Sequence, residues 1–154
     1  MAGFTTAFPT SCKGELPQAI HNFTITTGHV FSCALGIAAP TGTYGAATTN
    51  YSNLTGNSDE VPNATGYTTG GFAWTAAQNL TPLTSGTGAY WQWSVNPSWT
   101  AATFSTSGCI IYNTSASNKA VYVGSFGGTE TVTAGTFTLV QPTNGVGTSL
   151  LQLN

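Results

Sequence analysis

The sequence predicts an all-β protein: an antiparallel β-sandwich or barrel of about seven to eight short strands, with one short N-terminal helix. Three observations carry this. Apolar residues alternate with small polar ones at period two in several short stretches. Turn residues recur at intervals of about 8 to 15 residues, the punctuation of a strand-rich chain. Threonine is present in 29 copies, and its branched side chain suits a pleated, half-exposed surface.

The helix is predicted over residues 12–22, where Leu16, Ile20 and Phe23 recur at i, i+4 and i+7. Pro17 fits only if it lies in the first turn. Residues 29–37 follow as a strand, with Phe31, Cys33, Leu35 and Ile37 on one face, and Pro40 ends it. Residues 40–70 are rich in Thr, Gly and Asn and predict a long loop with at most one short strand. Asp59-Glu60 is expected at its solvated tip.

Strands then come quickly. They are expected at 71–76 (Phe72, Trp74), 89–95 (Trp91, Trp93, Val95), 100–104 and 108–113 (Ile110, Ile111, Tyr112). Three more are expected at 119–126, 136–140 and 149–153. In 119–126, Val121 and Val123 against Tyr122 and Phe126 predict burial on both sides. The separating turns are Asn96-Pro97, Asn118, Gly127-Gly128, Ala134-Gly135, Pro142 and Asn144-Gly145. No helical segments alternate with these strands, which argues against a parallel sheet. At 154 residues the whole chain, 1–154, is expected to be one domain.

Charge narrows the function. Charged residues are 4% of the chain, against roughly 25% in an ordinary soluble domain. Two basic residues are too few for a nucleic-acid binder that works by counterion release. General acids and bases are equally scarce: His21, His29, Glu15, Asp59, Glu60, Glu130, Lys13 and Lys119 are the whole stock. No G-x-S-x-G elbow, phosphate loop or metal-ligand spacing occurs. Adjacent Asp59 and Glu60 would point apart in an extended segment, unlike a glycosidase pair. The expectation is therefore no enzyme, no cofactor, no metal and no catalytic residue. A neutral surface of Thr, Ser, Asn and Gly suits a subunit covered by neighbours better than a free monomer.

No apolar run approaches the about 18 residues a spanning helix needs. Residues 1–6 carry neither the basic nor the apolar region of a secretion signal. Cys12, Cys33 and Cys109 are odd in number and widely spaced, so they are expected to be free thiols. The sequons at Asn22, Asn53, Asn63, Asn79 and Asn113 carry little meaning in a chain this rich in Asn and Thr. Trp74, Trp91, Trp93 and Trp99, with Tyr90 and Tyr112, have two readings. They either build the core or stack on sugar rings as a carbohydrate-binding module.

Several stretches resemble a known group. Phe8-Pro9-Thr10-Ser11-Cys12-Lys13-Gly14-Glu15-Leu16, running into Ile20-His21-Asn22-Phe23-Thr24, is similar to the opening of small structural proteins of tailed bacteriophages. Asp59-Glu60-Val61 before Gly66-Tyr67-Thr68-Thr69-Gly70-Gly71 continues the likeness. So do 99–103, Gly108-Cys109-Ile110-Ile111-Tyr112-Asn113, 121–126 and Thr133-Ala134-Gly135-Thr136-Phe137-Thr138. Pro17 departs from the pattern. The resemblance implies a β-rich virion protein, foremost a capsid decoration (cement) protein that stabilises the head shell. Its partners would be the major capsid protein and copies of itself, with a homotrimer expected by analogy. It would be made in the bacterial host cytoplasm and end on the capsid surface. A tail, neck or fibre-associated subunit, or a glycan-binding module, are the alternatives.

Overall fold

The computed structural model describes residues 2–63, 66–143 and 149–153. Strand β2 (Phe31–Ile37) lies at its centre because it has no polar face: six of its seven residues are buried. Such a run needs cover on both sides, and the chain supplies it. On one edge β2 pairs antiparallel with the two-residue strand β4 (Phe72–Ala73). On the other it pairs with β7 (Ser98–Asn113), which pairs in turn with β8 (Lys119–Thr138). The result is a four-stranded antiparallel sheet whose long hairpin, β7 and β8, is 16 and 20 residues per strand. A smaller antiparallel sheet joins β5 (Leu83–Ser85), β6 (Gly88–Trp91) and β9 (Leu151–Leu153).

Two apolar clusters occupy the two faces of the large sheet. Cys33, Leu35, Ile111 and Val121 belong to the larger one, with Trp91 and Leu151 brought in by the small sheet. Trp74 and Trp93 stack at its centre, ring centroids 4.5 Å apart. Ala34, Ile110 and Val123 belong to the second cluster, with Tyr44, Leu54 and Tyr112. That face is roofed by the N-terminal segment: β1 (Gly3–Phe4), its parallel partner β3 (Thr43–Tyr44), and a five-residue helix within 52–56. Gly36 and Gly108, register partners on β2 and β7, leave a slot for the ring of Phe4. A Cβ at Gly36 would stand 2.1 Å from that ring, and one at Gly108 2.3 Å.

The mostly-β class is as predicted, at 45% strand and 12% helix. Several elements differ. The N-terminal helix, α1, is Thr10–Glu15 rather than 12–22. Pro17 falls beyond its end instead of in its first turn, where its ring and missing N–H stop the helix. A second helix, α2 (Ser52–Gly56), was not expected. Nine strands are present among the described residues, against seven or eight predicted. The stretches 100–104 and 108–113 fuse into β7, and 119–126 and 136–140 into β8. Gly127-Gly128 and Ala134-Gly135 interrupt the register as bulges rather than ending a strand. Trp93 leaves the predicted 89–95 strand and makes only an isolated bridge with Asn79. The Asn118 turn is present, with Ser117 and Asn118 left-handed at φ 53° and 59°. The Asn144-Gly145 turn lies outside the described residues. None of the three sheets closes on itself among the described residues. No helix of the described residues is long and apolar enough to cross a membrane.

Candidate functional site

The scarce ionisable residues collect in two places. The first is the end of the long hairpin nearest its turn. Helix α1 turns Cys12 and Glu15, three residues apart, to the same buried side. Glu15 Oε1 accepts from Lys119 Nζ at 2.6 Å, at the start of β8. Glu15 Oε2 lies 2.8 Å from His21 Nε2. His21 Nδ1 and His29 Nδ1 each lie 2.9 Å from Asn113 Nδ2, at the end of β7. Asn113 Oδ1 accepts the Ser115 N–H at 3.1 Å.

This arrangement fixes the protons. An amide nitrogen only donates, so both histidines accept at Nδ1. His21 therefore carries its proton on Nε2 and donates it to Glu15. Burial lowers the His21 pKa, and the Glu15 carboxylate beside it does not reverse the shift. Burial alone would raise Glu15, but the hydrogen bonds from Lys119 and His21 outweigh it and leave the carboxyl below its usual range. The Cys12 thiol, buried and facing Glu15, is pushed up to about 12.

Cys12, Glu15 and His21 place a thiol, a carboxylate and an imidazole within 4.8 Å of one another. These are the ligand types of a transition-metal centre, and the sequence analysis did not see them as a set. The only signal is Cys12-x-x-Glu15 on a short helix, with His21 six residues on. The hydrogen bonds do not suit a cation. A metal at Nε2 would move the His21 proton to Nδ1, against the Asn113 amide donor. Lys119 already holds the carboxylate. Nor does the set form a cysteine-histidine nucleophile: both His21 nitrogens are engaged and the thiol is fully buried. The cluster pins α1 and the 21–29 segment to the hairpin.

The second place is Asp59-Glu60. The sequence analysis expected a solvated loop tip; both carboxylates are buried instead. They do point apart. Asp59 accepts from the Thr41 and Gly42 N–H groups and from Tyr44 Oη at 2.6 Å. Glu60 accepts from the Tyr51 and Tyr67 hydroxyls and from Gly70 N. Asp59 stays below its usual range, because these donors outweigh the upward push of burial. Burial, then Asp59, pushes Tyr44 up to about 12. The two carboxylates tie the 40–70 excursion to itself, while main-chain bonds from Ile37 N–H to Asp59 O and from Val61 N–H to Leu35 O hold it to β2. A composition-based reading misses this because the tyrosine partners are scattered in sequence.

Of the eight Lys, His, Asp and Glu side chains, only Lys13 and Glu130 are exposed. Trp74, Trp91, Trp93 and Trp99 are all buried, which answers the choice between core and sugar platform for these four. Tyr112 is buried and stacks on Tyr51 at 4.4 Å. The three cysteines are free and buried. An apolar cleft of about 230 Å³ lies between the large sheet and the C-terminal segment, lined by Trp74, Cys109, Tyr122 and Leu139 among others. Comparison of the chain with protein-family models, curated proteins and solved structures finds no match.

Proposed function

We propose that the protein is a virion structural subunit of a tailed bacteriophage, a decoration protein that binds and stabilises the head shell. One observation carries this beyond the sequence resemblance. Six of the eight Lys, His, Asp and Glu side chains are buried or half-buried, and the exposed surface is mostly Thr, Ser, Asn and Gly, with two exposed charges and a few apolar side chains such as Ile25, Leu83 and Val140. Such a surface gives little repulsion between closely packed copies. It offers hydroxyls and peptide groups for hydrogen bonding over wide areas.

The working parts are then shape and contact. The four- and three-stranded sheets, which share the tryptophan cluster, are read as two layers of a sandwich. Ligation of the assembled shell would stabilise it by mass action, since a protein that binds only the intact state lowers that state's free energy. Several weak contacts per oligomer would suffice. With few charges in the contact, binding should depend only mildly on salt.

The test compares particles with and without the protein under heat or osmotic stress, and images both. Retained heads and density spread over the shell are expected. Equal stability, with density confined to the tail or portal vertex, would favour a tail-associated subunit instead.

A further inference from the structure

The larger apolar cluster is packed ring on ring over much of its extent. Trp74 stacks on Trp93 with centroids 4.5 Å apart, and Phe23 stacks on Phe31 at 4.9 Å. In one place it is not filled. The cleft between the large sheet and the C-terminal segment holds about 230 Å³. Protein interiors pack as densely as organic crystals and keep few voids larger than a water molecule.

The sequence makes this space. Cys109 on β7 and Gly124 on β8 are register partners, a small pair beside the bulky pair Ile111 and Tyr122. A Cβ at Gly124 would stand 3.0 Å from both Cys109 Sγ and Tyr122 Cε1, so that position stays without a side chain. Trp74, Ile111 and Phe126 line the space as well, and Leu139 and Leu150 bound it from the C-terminal segment. Val140 also belongs to the lining and is 71% exposed, so the apolar surface runs out to solvent.

The lining offers a guest almost nothing polar. No Lys, His, Asp or Glu is among its described residues. Trp74 Nε1 donates to Val95 O at 2.8 Å. Gln141 Nε2 donates to Trp93 O and Val95 O, and Gln141 Oε1 accepts from the Trp93 N–H. Ser125 Oγ accepts from the Gly127 N–H. The Cys109 thiol is hydrogen-bonded to that of Cys33, and the Tyr122 hydroxyl to Thr6. Water is a poor filler here, because a held water needs about two to four polar partners. A charged guest would lose its hydration and find no replacement. An apolar guest loses little and supplies the lining with the contacts it lacks. An engineered apolar cavity of roughly 150 Å³ takes up benzene, so the larger space here admits a ring with a short alkyl extension.

We propose that this cleft is a binding site for one uncharged, apolar molecule of substituted-benzene size, seated over the Cys109–Gly124 pair between Trp74, Ile111 and Leu139. The site needs no assembly partner and stands apart from the head-shell reading.

The probe is toluene, with benzoate as its charged match. Each is titrated into the intact chain and followed by thermal melting and by NMR chemical shifts. Toluene should raise the melting temperature as its concentration rises, since a guest that binds only the folded state stabilises it. The shifts should concentrate at Cys109, Ile111, Tyr122 and Leu139. Benzoate should bind about tenfold more weakly or worse, because its carboxylate finds no partner. Leu139 and Leu150 are half-buried, so a larger side chain at either can grow into the space. Leu139→Trp and Leu150→Trp should each cut toluene affinity by about tenfold or more. The comparison of toluene with benzoate on wild type depends on no variant folding. No effect of toluene up to its saturation in water, benzoate binding as tight as toluene, or undiminished toluene binding by both folded tryptophan variants would overturn the site. So would a wild-type chain that ignores toluene yet loses head binding once the cleft is plugged, for the cleft would then receive a side chain of the shell. Head binding that survives the plug, with toluene binding lost, supports the site and leaves the decoration reading untouched.

Discussion

The two halves of the β7–β8 hairpin run through the same sheet in different surroundings. Near the turn, Gly108 to Asn113 and Ala120 to Gly124 have apolar cover on both faces, and the edge of β8 is bridged by Ala7 and Asn50 of the same chain. Away from it, Trp99, Phe104, Val132 and Phe137 pack inward while Thr100, Thr103, Thr133 and Thr136 face solvent. The sequence changes with the setting, from the near-continuous run Cys109-Ile110-Ile111-Tyr112 to alternation with threonine. The difference teaches that one hairpin serves two ends. The first half holds the fold together, and the second presents neutral strand to the outside.

The largest expected effect tests the inner half. Ile110 is fully buried between β2 and β8 on the second face. Ile110→Ala should cost about 2–5 kcal/mol in denaturant unfolding, from lost transfer free energy plus an unfilled cavity. Val132→Ala, half-buried on the outer half, should cost clearly less. Equal costs would erase the distinction between the halves.

Next in size is Asp59→Asn. The carboxylate accepts from two backbone N–H groups and the Tyr44 hydroxyl, and an amide can replace only part of this. A loss of about 1.5–3 kcal/mol is expected, the range for hydrogen bonds to a charged group. A loss under half a unit would show that the second face does not depend on the tether.

Much of this contrast was legible in sequence, and the reasons it was not complete are specific. Burial of 119–126 on both faces followed from Val121 and Val123 beside Tyr122. The core role of Trp91 and Trp93 was one of two readings, and the structure selects it. The fused length of β7 and β8 was hidden because Gly127-Gly128 and Ala134-Gly135 look like turns. Only partner pairing reveals them as bulges. The Glu15–His21–Asn113 network was hidden because Asn113 is 92 positions from His21, and sequence spacing says nothing about such a meeting. Asp59 and Glu60 looked like a solvated tip because polar neighbours surround them in sequence, while their tyrosine partners lie 7 to 15 residues away.

Acid should separate the halves in a graded way. His21 holds its proton less readily when folded than its ordinary value of 6.5, so the unfolded chain binds more protons below that pH. Stability should therefore start to fall as pH drops through 6.5. Glu15 and Asp59, both held below their ordinary 4.5 and 3.8, add a second loss as pH falls past those values toward their folded ones. All three groups belong to the inner half or its roof, whereas the outer half holds only Glu130. Hydrogen exchange at pH 5 against pH 7 should show the 21–29 segment and the β8 start loosening first. Loosening that begins at 129–138 would contradict the assignment.

The smallest effect is the sharpest on the outer half. Thr131 is exposed, and its hydroxyl meets Ser105 Oγ at 2.8 Å across the hairpin. Exposed hydroxyl pairs exchange one hydrogen bond for another with water, and exposed substitutions of this kind usually change stability by less than about 0.5 kcal/mol. Thr131→Ala should therefore leave the unfolding midpoint of dilute protein almost unmoved. If the variant is destabilised by more than 1 kcal/mol when dilute, a cost about twice that bound, Thr131 belongs to the fold after all, and the outer half is not a surface kept free for contact.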